Sequence, residues 1–113
     1  MLEIILEHNC KEELTGFTVE GHAGKEPRGE NIVCAAVSIL TKTTAASLGE
    51  IVQLQPEEFH MQEGRMVCRT GEITDPEKKK QVQLLLRSME LGLKETSRHY
   101  PGYLEISYSE RLT

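Results

Sequence analysis

The stretch Asn31-Ile32-Val33-Cys34-Ala35-Ala36-Val37-Ser38-Ile39-Leu40-Thr41-Lys42-Thr43-Thr44-Ala45-Ala46-Ser47-Leu48 decides how this chain is built. From Ala35 to Leu48 its sole charge is Lys42, and its composition is that of a helix buried on more than one side. Asn31 is the expected N-cap, because its side-chain oxygen accepts a backbone N–H of the first turn. Gly49 is the expected left-handed stop. One side of such a helix belongs on a sheet, and a second subunit is a candidate cover for another.

Alternating segments flank that helix. Leu2, Ile4 and Leu6 alternate with Glu3 and Glu7, and Thr15 to Glu20 alternates through Phe17 and Val19, with the turn-like His8–Glu12 between. The pair reads as a hairpin. Ala23 to Glu30, holding Gly24, Pro27 and Gly29, reads as a flexible loop suited to closing over a bound peptide. After the helix, Phe59 and Met61, then Met66, Cys68 and Thr70, alternate about Glu63-Gly64 as a second hairpin. Asp75 caps a second helix with Pro76 at its first position. Val82, Leu85, Leu86, Met89 and Leu93 form its core stripe, and Leu104, Ile106 and Tyr108 make a last strand. The order ββαββαβ predicts an α+β two-layer sandwich, a mainly antiparallel sheet of about five strands with two helices, in one domain over residues 1–113.

Composition narrows the setting. The 113 residues carry 18 acidic and 13 basic side chains, a formal net charge of −5. That disfavours direct nucleic-acid binding and suits a basic protein partner. Lys78-Lys79-Lys80 reads as a solvated helix face. No run approaches the ~20 apolar residues of a membrane span, and the Met1-Leu2-Glu3 start is unlike a signal peptide. The expectation is a cytoplasmic protein with no membrane partner. Three cysteines without a CxxC pair fit a reducing compartment, and four scattered histidines indicate no metal. No cofactor is implied.

The chemistry gathers at Gly21-His22-Ala23-Gly24 and at Cys34. With Asn31 as cap, Cys34 falls in the first helical turn, where the dipole favours a thiolate and unpaired N–H groups could hold an oxyanion. His22, at the end of the second strand, is the candidate proton acceptor for a Cys34 nucleophile. The opposing reading is a packed, inert cysteine. Ser38, four residues on, shares the face of Cys34 and either bonds the thiolate or bonds back to the carbonyl of residue 34. Gly21, Ala23, Gly24 and Ala35 complete the set of candidate substrate-binding or supporting residues. Cys10, Cys68, His8, His60 and His99 read as structural, surface or rim positions.

Gly-His-Ala, a glycine-containing loop, and then Ile-Val-Cys-Ala-Ala-Val-Ser closely resemble the bacterial ribosomal-processing cysteine proteases, over essentially the whole chain. The resemblance implies an endopeptidase that removes the N-terminal extension of a large-subunit ribosomal protein (number twenty-seven) precursor after a pair of phenylalanines, as needed for ribosome assembly. It maps the catalytic histidine onto His22, the catalytic cysteine onto Cys34 and the motif serine onto Ser38, maps the loop that moves over substrate onto Ala23 to Glu30, and implies a homodimer. Many members carry aspartate where this chain has Asn31. Asparagine caps a helix but supplies no charge, so the implied centre is a Cys-His dyad. The rival readings are a noncatalytic ribosome-assembly binding module and a thiol-based redox sensor.

Overall fold

The computed structural model describes residues 1–21 and 28–111, with 28–31 as backbone only. Its elements are β1 (Leu2–His8), β2 (Leu14–Glu20), α1 (Arg28–Glu50), β3 (Glu58–Gln62), β4 (Arg65–Arg69), α2 (Pro76–His99) and β5 (Leu104–Glu110). This is the expected ββαββαβ order. The five strands form one sheet in the spatial order β3-β4-β2-β1-β5. All neighbours are antiparallel except β1 and β5, which run parallel with Leu2 opposite Leu104.

The alternation of β1 sends Leu2, Ile4 and Leu6 to the helix side, where they join Phe17, Met66, Cys68 and Leu104. Helix α1 contributes Val33, Val37 and Leu48 to this core, and α2 contributes Val82, Leu86, Met89 and Leu93. The two helices meet where Gly92 faces Leu40, so closely that a Cβ on Gly92 would sit 2.7 Å from a Leu40 methyl carbon. Thr41 and Thr44 are buried in α1 without penalty because each hydroxyl donates back to a carbonyl four residues earlier, at 2.8 and 2.7 Å.

The turn after β1 is set by Asn9, whose side-chain oxygen accepts from the N–H groups of Lys11 (2.9 Å) and Glu13 (3.0 Å). Asp75 caps α2 as expected, accepting from Glu77 N at 3.1 Å. The cap expected at Asn31 is not there. Helix α1 begins at Arg28, so Asn31 lies inside it, and the expected loop loses its last three residues, Arg28 to Glu30, to the helix. Gly29 disfavours a helix by only about 1 kcal/mol, which the packing of the following turns overrides. Gly49 is likewise helical, and the chain turns instead at Gln53 (φ 60), with Leu54 N–H bonding back to the Leu48 carbonyl at 2.9 Å.

By length and composition, the Ile32–Glu50 part of α1 is apolar enough to cross a membrane, contrary to the reading of the sequence. Its apolar side here packs on the sheet and on α2, and a core helix passes the same test.

Candidate active site

Cys34 faces a cleft of about 240 Å³ between α1, the end of β2 and the β3–β4 turn. Ser38 and Thr41, one and two turns further along α1, line the same wall. The facing wall is Gly21 and Val19, the rim is Gln62 to Arg65, and Leu2, Met61 and Met66 supply apolar lining. Cys34 itself is half-buried, which suits a side chain that must be shielded and still reachable.

Gly21 is fixed here by two constraints. Its φ of 113° lies where side chains are rarely found, and a Cβ would stand 2.7 Å from the Met1 carbonyl oxygen. Its N–H donates to the Gly64 carbonyl at 3.1 Å, which joins the end of β2 to the β3–β4 turn. The chain therefore reaches position 21 on the wall of the cleft that Cys34 faces. Of the other sequence-derived candidates, Ser38 lines the cleft, whereas Ala35 is exposed and is not part of its lining. His22, Ala23 and Gly24 lie outside the described residues.

The start of α1 at Arg28 alters the expected activation. Orphan N–H groups belong to the first four helical residues, here Arg28 to Asn31. Cys34 is six residues beyond Arg28, roughly 9 Å along the axis. The dipole effect falls off within the first turn. Cys34 thus owes little to the helix end, and the first-turn oxyanion donors expected beside it are displaced from it.

The other thiols differ. Cys68 is buried, and burial pushes its thiol up to about 11, as befits a packing residue. Cys10 is exposed in the turn after β1. His60 and His99 are exposed and His8 is half-buried, and none of the three is among the residues lining the cleft. Sequence reading missed the contribution of Gln62 to Arg65. Glu63-Gly64 is visible as a turn, but no sequence signal tells that Gly64 bonds to Gly21.

A half-buried cysteine on a helix beside a cleft is the arrangement a thiol nucleophile requires. The chain belongs to the cysteine protease Prp family, whose family model matches residues 1–105. Solved structures agree on the fold. SMU.848 from Streptococcus mutans superposes with a TM-score of 0.84 at 25% identity, over 98% of this chain and 99% of that one. The essential ribosomal processing protease Prp from S. aureus, in complex with a substrate peptide, gives 0.83 at 19% identity over 96% and 100%. The same S. aureus protease with a covalently linked product peptide gives 0.80 at 21%, over 96% and 100%. No curated protein sequence matches.

Proposed function

We propose that the whole chain, 1–113, acts as one cysteine endopeptidase domain with a Cys34–His22 dyad. On this reading it trims the N-terminal extension from the precursor of large-subunit ribosomal protein twenty-seven. The observation that carries the reading is the position of Cys34 on a cleft of about 240 Å³ whose opposite wall is Gly21. His22 is the residue that follows Gly21 in the sequence, and this adjacency supports its assignment as the partner of Cys34. The S. aureus relative with a covalently linked product peptide supports the same chemistry.

In the first step His22 takes the proton of Cys34, and the sulfur forms a bond to the scissile carbonyl carbon. The carbonyl π electrons move to oxygen, giving a tetrahedral oxyanion. Its collapse breaks the C–N bond, and the imidazolium returns its proton to the leaving amine. Water, deprotonated by the same imidazole, then attacks the thioester, releases the acid and restores the thiol. Because the helix end lies away from Cys34, the imidazolium is the main stabiliser of the thiolate. Ser38 lines the wall beside the sulfur and supports its position. Gly21 shapes the entrance, and Ala23 and Gly24 continue that segment in sequence.

A net charge of −5 suits a basic ribosomal protein as substrate and a cytoplasmic setting. Homodimer formation is supported by the uncovered outer surface of the helices, where Ile39 is 67% and Leu91 64% exposed, on either side of the Leu40–Gly92 contact. The test is mass spectrometry of the organism's own precursor after incubation with the protein, with Cys34→Ala and with His22→Ala. Cleavage by the native chain alone is expected. Cleavage by folded Cys34→Ala overturns the nucleophile assignment, and a labelled but non-cleaving native protein favours the redox-sensor reading.

A further inference from the structure

Beyond the cleft a trough lies between α1 and β3. Strand β3 is the outermost of the sheet, paired only with β4 among the described residues. Phe59 and Met61 lie opposite Cys68 and Met66 in the register and share their helix-side face. Cys68 and Met66 are covered, yet Phe59 is 43% and Met61 53% exposed. Edge strands normally carry charge or proline where they meet water, so two bare large apolar side chains here are unusual. Opposite them α1 presents the small groups Ala45, Ala46 and Gly49 between Lys42 and Glu50, and a cavity of about 390 Å³ with an almost wholly apolar lining stays open between.

This trough is continuous with the Cys34 cleft, because Lys42, Met61 and Met66 line both. Its far end carries Glu50, and Glu63 stands on the cleft rim at the near end. From Cys34, α1 runs roughly 12 Å to Lys42 and roughly 22 Å to Gly49. An extended peptide covers those distances in roughly four to seven residues.

We propose that the trough is a remote substrate subsite, in which an arm of the peptide roughly four to seven residues from the scissile bond adds to the free edge of β3 as a further strand. Main-chain hydrogen bonds to β3 hold the arm. Every second side chain drops between Phe59 and Ala46 and must be large and apolar. Basic residues of the arm lie against Glu50 and Glu63. Specificity on this view is read along an alternating apolar pattern as well as at the cut. The proposal rests on the peptide-cleaving reading of Cys34.

Gly49→Leu tests it, because a Cβ at Gly49 meets nothing within 4 Å and the position is helical. The added side chain fills the trough without entering the core. Ala46→Leu, at an exposed position, is the independent second variant. The probes are a peptide from the precursor reaching roughly eight residues to each side of the cut and versions trimmed on either side to roughly three. Both variants should lower kcat/KM for the long peptide about tenfold or more, the worth of one buried large side chain. They should leave the peptide that lacks the docking arm unaffected. Trimming one arm, or methylating alternate amides within it, should cost the native protein a similar factor. Equal cleavage of the long peptide by native and both variants overturns the subsite, as does indifference to trimming on both sides. Binding of the long peptide to Cys34→Ala, with and without Gly49→Leu, separates the two claims. Binding that Gly49→Leu removes, with no cleavage by the native chain, keeps the trough and rejects the protease reading. No binding and no cleavage overturns the trough.

Discussion

The backbone N–H of Gly21 donates to the carbonyl of Gly64 at 3.1 Å, and both residues line the cleft that Cys34 faces. One hydrogen bond thus joins the strand end that leads into position 22 to the turn that forms the rim. Gly21→Ala should both destabilise the protein by about 1–3 kcal/mol and reduce cleavage, since the left-handed backbone must shift away from the Met1 carbonyl. Chemical denaturation and peptide turnover check the two effects together. Unchanged values for both would mean that the site tolerates relocation of this segment.

The three cysteines should separate in a labelling experiment. Iodoacetamide near neutral pH is expected to modify Cys10 and Cys34 in the native protein and to spare Cys68, whose thiol is pushed up to about 11 by burial. A thiol value raised by folding leaves the fold unaffected below the unfolded value, roughly 8.5, and weakens it as pH rises from there through about 11. Mass mapping of the labelled sites is the check, and rapid modification of Cys68 before unfolding would contradict the structure.

Arg69 crosses β2 to reach Glu7 on β1, with its Nε and one terminal nitrogen bonding the two carboxylate oxygens at 2.8 and 2.9 Å, while the other terminal nitrogen bonds Glu58 at 2.7 Å. The path lies over Gly16, which stands opposite both Glu7 and Arg69 in the register. Because Glu7 is buried, Arg69→Met should cost about 3–5 kcal/mol by stranding its carboxylate. Adding Glu7→Gln to Arg69→Met should recover part of that loss. Urea denaturation of the two variants distinguishes a stranded charge from lost packing, for which no recovery is expected.

Glu90 on α2 gives a pH-dependent contribution. Burial alone would raise its carboxyl, but the hydrogen bonds from Tyr108 and Arg87, with Lys94 nearby, hold it below the usual carboxylate range. Its contribution is therefore present above the unfolded value of about 4.3 and is lost as pH falls through the lower folded one. Glu90→Gln should be less stable than the native protein by about 1–2 kcal/mol at neutral pH, and the gap should close in acid. Denaturation at the two pH values checks it, and a constant gap would show that the charge is irrelevant.

Much of this architecture was legible because it rests on period and on local chemistry. The alternation at Leu2, Ile4 and Leu6, the Asp75-Pro76 start and the Val82–Leu93 stripe each read correctly. What failed depends on tertiary packing. Gly29 and Gly49 look like boundaries, yet both are helical, while the left-handed turn falls on Gln53, a residue with no such signal. Phe59 and Met61 alternate like a covered strand, but β3 is an edge that α1 does not reach over. At the site, Cys34, Ser38 and Gly21 do come together. The rim from Gln62 to Arg65 was hidden because its proximity is set by strand order, which no local pattern encodes.

The parallel pairing of β1 with β5 has a consequence for how the molecule is made. Among the described residues, those lining the Cys34 cleft all lie within the first 66 positions, whereas the outer edge of β1 is sealed by Leu104–Glu110. A chain emerging from the ribosome presents its cleft residues long before that edge is closed, and contacts of such separation form late. Until then Leu2–His8 offers a bare strand edge to other nascent chains. A bulky group appended after β5 would prolong that interval and with it the exposure of the unpaired edge.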